Sequence, residues 1–264
     1  MTLPRMQPGD GVAWITGASS GIGEAVALEL ALRGWTVAIT ARRLDQLEEI
    51  ARRADGLPGR IVAHAGDVTD PGAMKAVIET IESVHGPIAL AFLNAGIAPD
   101  SNGLLDIEAF ERTIAVNLVG AARGLAAVLD CMAPRRRGHI ALNASIAGYG
   151  GLPGASAYGV SKAAAIHLCE TLKFDCDRRG IRLQLVNPGW VDTPLTRRKD
   201  VPMPFIMSPQ EAARRIADGF EQAGFEVSFP RRLSWLMKAI NLLPYPAYFW
   251  LIGKAARRSG TKAI

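Results

Sequence analysis

Apolar positions along the chain follow two alternating patterns. Short, nearly continuous runs of β-branched and other apolar residues predict strands that are buried on both faces. They occupy residues 11–16, 35–40, 60–65, 88–94, 138–145, 181–189 and 225–229. Between them, apolar residues recur at helical spacing, as at 22–33 and about 107–132. Strands that alternate with helices predict a doubly wound, Rossmann-type α/β fold, with a parallel sheet of about seven strands and helices on both faces.

The alternation runs along the chain without a linker, an internal repeat or a low-complexity segment. We therefore expect residues 1–264 to form a single domain, with a core at about 10–230 and an apolar C-terminal extension at 231–264. A hydrophobic content of 49% fits a folded globular chain. In a doubly wound sheet, ligands bind beyond the carboxyl ends of the strands, so candidate chemistry is sought there.

The cysteines and the N-terminus bear on location. Cys131, Cys169 and Cys176 lack the spacing of metal ligands, so no metal site is predicted. Residues 1–11 have no apolar run behind their arginine, unlike a secretory signal peptide. An odd number of cysteines without such a signal is typical of reduced thiols, and we expect a cytoplasmic protein. Cys169 and Cys176, seven residues apart on one predicted helix, are interpreted as packing residues.

A glycine-rich loop, TGASSGIG at 16–23, joins the first strand to the first helix. Gly17, Gly21 and Gly23 permit a tight turn and close approach of a ligand to the backbone. The helix that follows offers unpaired N–H groups and the positive end of its dipole, which favour a pyrophosphate. The spacing differs from the standard G-x-G-x-x-G, and a structural turn would also explain it. The strand–loop–helix context favours dinucleotide binding.

The end of the second predicted strand indicates which dinucleotide is bound. An acidic residue there would bind a ribose 2′-hydroxyl, but the chain has Ala41, followed by Arg42 and Arg43. A guanidinium group suits a 2′-phosphate through charge-assisted hydrogen bonds. Two arginines that open a helix also fit a plain charged surface. Because the acid is missing, the pattern favours NADP(H) over NAD(H).

The segment SAYGVSK, at 156–162, places a phenol beside an ammonium group. If a helix begins near Ala155, Tyr158 and Lys162 lie one turn apart on one face. A nearby ammonium group would lower the pKa of the phenol and make it a general acid/base. Y-x-x-x-K is also common as a buried ring beside a solvated charge. Ser145, at the end of the fifth strand, and Asn117, a residue unfavourable inside a helix, strengthen the catalytic interpretation.

Together these motifs resemble the single-domain members of the short-chain dehydrogenase/reductase family. The resemblance covers about residues 10–230 and includes TGASSGIG, GDV at 66–68, NAG at 94–96, YGVSK and PGWVDTPL at 188–195. LNAG in place of the family's common NNAG is a departure that leaves the catalytic residues intact. The resemblance implies that NADP(H) lies across the sheet edge and contacts Gly17, Ser19, Ser20, Gly21, Ile22, Gly23, Arg42, Arg43, Asp67, Val68, Asn94, Ala95, Gly96, Tyr158, Lys162, Pro188, Gly189, Val191 and Thr193.

The resemblance also implies roles for a catalytic set of four residues. Ser145 would bind the substrate carbonyl, and Tyr158 would deliver the proton. Lys162 would assist Tyr158 and hold the nicotinamide ribose, while Asn117 would hold a water that links Lys162 to solvent. We therefore expect an NADP(H)-dependent oxidoreductase that interconverts a ketone or aldehyde with an alcohol. A non-catalytic dinucleotide-sensing regulator and a membrane-surface reductase of a lipid-like substrate are the alternatives.

The segment after Thr193 is the expected lid of the substrate site. Its apolar side chains suggest an apolar substrate: Met203, Phe205, Ile206 and Met207. The basic run at 197–199 could instead accept an anion, and a plain surface loop explains either feature equally well. A small carbonyl or alcohol compound is the expected partner of a protein that forms a homodimer or homotetramer.

Basic charge raises the question of nucleic acid. The net charge is +5, and basic runs occur at 135–137 and 197–199. Because aromatic residues do not interleave with these runs and no binding motif is present, we interpret them as solvated surface and expect no nucleic acid partner.

The apolar segment 233–258 raises the question of a membrane. Lys238 and Asn241 interrupt its first half, and two prolines separate the halves, so it is not expected to span a bilayer. We expect it to cover the substrate pocket or a partner subunit, because so large an apolar patch rarely stays exposed. Contact with a bilayer surface, through Trp235, Trp250 and the basic residues Lys254, Arg257 and Arg258, is the alternative.

Overall fold

A computed structural model of the chain describes residues 3–99, 105–197 and 203–258. In this part of the chain seven strands form one sheet. They are β1 (Val12–Thr16), β2 (Thr36–Ala41), β3 (Arg60–Ala65), β4 (Ile88–Leu93), β5 (Gly138–Asn143), β6 (Ile181–Pro188) and β7 (Glu226–Phe229). Each strand agrees with its predicted range to within two residues at either end.

Neighbouring strands are all parallel, in the order β3-β2-β1-β4-β5-β6-β7. The chain first moves from β1 towards one edge of the sheet, then returns to β4 and moves towards the other edge. This reversal between β1 and β4 opens a crevice at the carboxyl ends of the two strands. The doubly wound, Rossmann-type sheet that the sequence predicts is confirmed.

Helices cover both faces of the sheet. They are α1 (Gly21–Leu32), α2 (Leu44–Arg53), α3 (Pro71–Val84), α4 (Ile107–Ile114), α5 (Ala121–Arg135), α6 (Ser156–Arg178), α7 (Pro209–Glu221), α8 (Arg231–Asn241) and α9 (Tyr245–Arg258). On one face, α1, α2 and α7 bury residues such as Val26 and Ile216 against the strands. On the other, α3, α5 and α6 bury residues such as Ile78 and Cys169. The core therefore has two layers, one on each side of the sheet.

The cysteines fit the packing interpretation in part. Cys169 and Cys176 are buried in the same apolar cluster, whereas Cys131 is partly exposed. Burial raises the pKa of Cys176 to about 11, so this thiol stays protonated at neutral pH.

The predicted long helix is interrupted in an informative way. Between α4 and α5, residues Ala115–Gly120 form a π-helical segment that contains Asn117. A π-helical turn inserts an extra residue into the helix and is common at functional sites. The whole stretch Ile107–Arg135 is, among the described residues, the one helix long and apolar enough to cross a membrane by length and composition.

The basic runs form ion pairs on the protein surface. Arg135 pairs with Glu82 at 2.9 Å, and Arg137 pairs with Asp10 at 2.5 Å. Residues 198 and 199 of the second run lie outside the described residues. The absence of a nucleic-acid partner remains a prediction.

The extension forms α8, which packs beside β7, and α9, which contacts the loop between β5 and α6. Lys238 of α8 forms an ion pair with Glu226 of β7, and Glu226 also accepts hydrogen bonds from Tyr149 and from Asn187 Nδ2, the latter at 2.6 Å. The hydroxyl of Tyr248, in α9, donates to the carbonyl of Gly151 at 2.7 Å. The extension is therefore tied to the sheet edge and to the loop between β5 and α6.

Candidate active site

A cleft of about 850 Å³ lies along the carboxyl ends of the strands. This volume is typical of sites for cofactors and small molecules. Except for Gly23, all the predicted cofactor-binding residues line the cleft, and Ser145, Tyr158 and Lys162 line it as well. Gly23 and Asn117 are not among the residues that line it. The structure thus brings almost the whole predicted set together.

The glycine-rich turn is tight because the protein's own backbone surrounds it. Gly17 and Gly21 have left-handed φ angles of 66° and 63°. A β-carbon at Gly17 would lie 2.5 Å from Ala95 Cα, and one at Gly23 would lie 2.5 Å from the carbonyl oxygen of Gly17. Side chains are therefore excluded at these positions, and the backbone of the turn can approach a ligand closely.

Thr16 and Asn94 hold this turn against β4. The hydroxyl oxygen of Thr16 accepts hydrogen bonds from the backbone N–H groups of Asn94 and Ala95, at 3.0 and 3.2 Å. The Asn94 amide donates to the carbonyls of Thr16 and Gly17, both at 3.1 Å. Asn94 therefore lines the cleft while its amide is engaged by the turn. Thr16 is a positioning residue that the sequence reasoning missed, although it is the first residue of TGASSGIG.

The start of α1 opens onto the cleft. Ser20, the residue before the helix, has an extended backbone and makes no side-chain capping bond in the described structure. Ser19, Ser20, Gly21 and Ile22 all line the cleft. The first N–H groups of an α-helix lack partners within the helix, and they suit a phosphate group. The cradle that a β-carbon would fill and the helix N-terminus together fit the pyrophosphate of a dinucleotide.

Charged side chains lie beyond the ends of β2 and β3, two arginines after β2 and an aspartate after β3. Arg42 and Arg43 line the cleft with exposed side chains, and neither forms an ion pair within the described parts of the chain. Asp67 accepts hydrogen bonds from the N–H and the hydroxyl of Thr69, at 2.9 and 2.8 Å. Burial raises the pKa of Asp67, but these bonds and the charge of Arg42 outweigh it and hold the pKa below its usual value. Asp67 therefore stays ionised beside a cationic pair.

The candidate catalytic residues come from β5, α6 and the loop between them. Ser145 lies two residues beyond β5, and its hydroxyl donates to the carbonyl of Pro188 at 3.3 Å. The helix α6 begins at Ser156, after Ala155 as predicted, so Tyr158 and Lys162 lie one turn apart. The Lys162 nitrogen lies 5.6 Å from the centroid of the Tyr158 ring.

The pKa values of this pair differ from the sequence-based expectation. Burial raises the pKa of Tyr158, and a hydrogen bond with Ser145 opposes the rise without cancelling it. Burial lowers the pKa of Lys162 to about 8. The tyrosine pKa is therefore raised in the free protein, and the prediction of a lowered value is wrong for this structure. The Lys162 nitrogen donates instead to the carbonyl of Asn143, at 2.8 Å, and desolvation dominates both groups.

Asn117 holds the loop after β4. Its side-chain oxygen accepts from the N–H of Ile97 at 2.7 Å, and its amide donates to the Ile97 carbonyl at 2.9 Å and to Ser161 Oγ at 3.0 Å. A β-carbon at Gly96 would lie 3.4 Å from Asn117 Oδ1 and 3.6 Å from Lys162 Nζ. Asn117 and Lys162 therefore both approach Gly96, and a water held between Asn117 and Lys162 remains a prediction.

The expected lid lies partly outside the described residues, and the interpretation of Met207 needs correction. Met207 is buried and forms a β-bridge with Val191, so it packs the core and does not face a substrate. Arg197, proposed as part of an anion site, pairs with Asp192 at 2.7 Å. Phe205 remains 68% exposed and available to an apolar ligand.

The extension does not line the cleft. Within the described residues, the cleft walls contain nothing from 231–258. The expectation that the extension covers the substrate pocket is therefore wrong for this part of the chain. The extension contacts the loop that connects Ser145 to Tyr158, through Tyr248 and Gly151, rather than the cleft itself. Cover by a partner subunit remains a prediction.

Comparison with known proteins identifies the family. The family model described as short chain dehydrogenase matches residues 11–202. The chain therefore belongs to the short-chain dehydrogenase/reductase family of oxidoreductases.

Two curated relatives are similar over most of their length. An uncharacterized oxidoreductase of Myxococcus xanthus is 36% identical over 247 residues, which cover 93% of this chain and 96% of that protein. The 3-oxoacyl-(acyl-carrier-protein) reductase of Thermotoga maritima is 35% identical over 188 residues, covering 71% of this chain and 76% of that protein.

Two solved structures share the fold and carry NADP-type ligands. A short-chain dehydrogenase from Sphingobium yanoikuyae in complex with NADPH has a TM-score of 0.75 at 28% identity, with 94% of each chain covered. An alcohol dehydrogenase from Thermococcus sibiricus, complexed with 5-hydroxy-NADP, has a TM-score of 0.75 at 28% identity, covering 83% of this chain and 95% of that one.

Proposed function

We propose that the protein is an NADP(H)-dependent oxidoreductase that interconverts a ketone or aldehyde with the corresponding alcohol. The observation that carries the proposal is the convergence of Ser145, Tyr158 and Lys162 on the cleft that also contains the glycine-rich turn and Arg42. A protein that only senses a dinucleotide has no need of a proton donor there. The NADP-type ligands of the two structural relatives and the reductase activity named for the Thermotoga maritima protein support the same reaction class.

Residues at one part of the cleft would hold the cofactor, which when bound supplies or accepts a hydride. The glycine-rich turn and the start of α1 would bind its pyrophosphate. Arg42 and Arg43 would bind a 2′-phosphate, because their guanidinium groups line the cleft without ion-pair partners among the described residues. Ala41 stands where a carboxylate would repel that phosphate. Asp67, which also lines the cleft, would accept hydrogen bonds from the adenosine part.

Tyr158 would act as the proton donor. Because burial raises the pKa of this phenol, it carries its proton at neutral pH and can give it to the oxygen of a carbonyl that is being reduced. The hydroxyl of Ser145 lies close enough to hydrogen-bond the phenol, and it can bind the same carbonyl oxygen. The free protein would therefore be prepared for reduction of a carbonyl group.

Lys162 would stabilise the phenolate that proton transfer leaves behind. With its pKa lowered to about 8, the ammonium group is still mostly charged at neutral pH. Its nitrogen lies 5.6 Å from the centroid of the Tyr158 ring. Because both groups are shielded from water, its positive charge would attract the phenolate with little screening. Asn117 would position this end of the cleft through the loop at Gly96 and Ile97.

A survey of substrates tests the proposal. The protein is mixed with NADPH and with aldehydes and ketones of increasing apolar size, and loss of NADPH absorbance is followed. We expect consumption with at least one compound, and slower consumption with NADH in its place. A protein that bound NADPH but consumed none with any compound would support the dinucleotide-sensing alternative instead.

A further inference from the structure

The net positive charge of the chain comes from its C-terminal extension. Residues 231–264 contain seven lysines and arginines and no aspartate or glutamate. The rest of the chain has 23 basic and 25 acidic residues, so without the extension it would be slightly negative. The charge asymmetry therefore marks the extension as a surface for an anionic partner.

The same segment exposes many large apolar side chains. Exposed positions recur every three to four residues on α8, and residues 241–247, at the turn into α9, are all exposed. Seven large apolar side chains are between 40% and 86% exposed: Trp235, Leu236, Leu242, Leu243, Tyr245, Phe249 and Trp250. So large an exposed apolar surface marks an interaction site.

The opposite face of the two helices is anchored to the protein. Ser234 and Tyr248 are buried, and Lys238 pairs with Glu226. The buried hydroxyl of Tyr248 is bonded to Gly151. The exposed face is therefore the outer side of a docked pair of helices, and turning them inward would break these contacts.

Basic residues lie at both ends of this apolar face. Arg231 and Arg232 begin α8, and Lys254 and Arg257 lie near the end of α9. The Lys254 nitrogen lies 4.8 Å from the centroid of the Trp250 ring. Tryptophan and tyrosine beside lysine and arginine are typical of helices that lie in the headgroup region of a bilayer.

Helix length and charge favour a bilayer surface over a membrane-spanning arrangement and over a second copy of the chain. At 11 and 14 residues, α8 and α9 are too short to span a hydrocarbon core that needs about 20 residues. A second copy placed symmetrically on this face would bring together two faces whose charged residues are all basic, which like-charge repulsion disfavours. An anionic lipid surface instead matches both the apolar face and the basic residues at its ends.

We propose that the face formed by α8 and α9 docks on an anionic membrane surface, with the two helices lying in the plane of the lipid headgroups. Apolar side chains would enter the boundary between headgroups and acyl chains, and the terminal arginines and lysines would contact lipid phosphates. The proposal does not depend on the reaction that the cleft performs.

Vesicle sedimentation tests it with the full-length protein. Wild type is mixed with vesicles of phosphatidylcholine alone and of phosphatidylcholine with phosphatidylglycerol. We expect sedimentation with the anionic vesicles, weaker sedimentation with the neutral ones, and loss of binding as salt is raised. The variants W235S/W250S and R231Q/R232Q should each reduce partitioning by about tenfold or more.

Controls separate lipid binding from misfolding and from self-association. Phe174→Ser removes a side chain of similar exposure, 69%, from α6, and should sediment like wild type. Circular dichroism checks that each variant is folded. The proposal would be overturned if wild type did not sediment with anionic vesicles, or if W235S/W250S bound them as wild type does. So would a W235S/W250S variant that only shifts an oligomer to a smaller species, because a second copy would then cover the face.

Discussion

The sheet region, from β1 to β7, and the C-terminal extension differ in how far they bury their large apolar side chains. Trp14 and Phe92 in the sheet are fully buried, whereas Trp235 and Trp250 in the extension are 72% and 61% exposed. The sheet region buries most of its large apolar side chains and gathers polar groups at one cleft. The extension leaves most of its large apolar side chains exposed. The proposed reaction and the proposed docking would thus lie in separate parts of the molecule, and matched substitutions in the two regions should have unequal effects.

The largest contrast is expected between two tyrosines. Tyr158→Phe removes the proposed proton donor, and turnover of the best carbonyl substrate should fall by about 10²-fold or more, the usual scale for losing general acid catalysis. NADPH binding should stay nearly intact. Tyr245→Phe makes the same change at a residue of the extension that is 76% exposed, and should leave turnover unchanged. Steady-state kinetics with NADPH provide the measurement, and a wild-type rate for the Tyr158 variant would contradict the mechanism.

Replacing one glycine in each region should change the free energy of unfolding by different amounts. Gly17→Ala forces a β-carbon into the Ala95 backbone at a left-handed φ, and should cost about 3 kcal/mol of unfolding free energy. Gly253→Ala adds its β-carbon within α9, where the nearest atom is Arg257 Nη1 at 3.6 Å, and should be neutral or stabilising by up to about 1 kcal/mol. Denaturant unfolding measures both. Similar costs at the two sites would show that the turn is not as constrained as described.

Two arginines test the cofactor assignment. Arg42→Ala should weaken NADPH binding by about 1.5–3 kcal/mol, the range for a hydrogen bond to a charged group, with little change for NADH. Arg232→Ala, in the extension, should alter neither affinity. Fluorescence titration with each dinucleotide gives the dissociation constants. Equal losses for NADPH and NADH in the Arg42 variant, or a wild-type preference for NADH, would reject the assignment.

A smaller effect is expected of pH on stability, and it should come from a histidine of the sheet. His139 of β5 is fully buried beside Gln184 and Phe220, and burial lowers its pKa to about 3. Below its ordinary pKa of about 6.5 the unfolded chain takes up a proton that the folded protein excludes, so stability falls as pH falls. His139→Gln should reduce the slope between about pH 6.5 and 5 by up to about 1.4 kcal/mol per pH unit. Parallel slopes for variant and wild type would show that His139 does not set this dependence.

Much of the sheet region follows from sequence because its signals are local. Nearly continuous apolar runs identify all seven strands, and Asp70 followed by Pro71 identifies the start of α3, where the Asp70 carboxylate accepts from the N–H groups of Gly72 and Ala73. The helix α7 was missed although Ser208, Pro209 and Glu211 carry the same kind of signal. Ser208 does cap it, through a bond from the N–H of Glu211 at 3.1 Å.

Features that depend on tertiary surroundings could not be predicted. Asn117, in the π-helical turn, forms hydrogen bonds with Ile97, a residue 20 positions away in the sequence. The rise in the pKa of Tyr158 reflects desolvation by the assembled cleft, which the spacing of Tyr158 and Lys162 does not reveal. The burial of Met207 depends on its bridge to Val191. In the extension, composition indicates an apolar surface, but only the structure shows which face is anchored and which is free.

Isotope transfer tests the central claim, that this cleft reduces a carbonyl with NADPH, most directly. The protein is incubated with NADPH carrying deuterium in both positions at nicotinamide C4 and with the best carbonyl compound from the survey. Mass spectrometry of the alcohol product then reports whether the label has moved. The account predicts one deuterium in each molecule of alcohol formed by wild type and almost no labelled product from Tyr158→Phe. Bound NADPH with no labelled alcohol from wild type, or equal labelling by the variant, would contradict it.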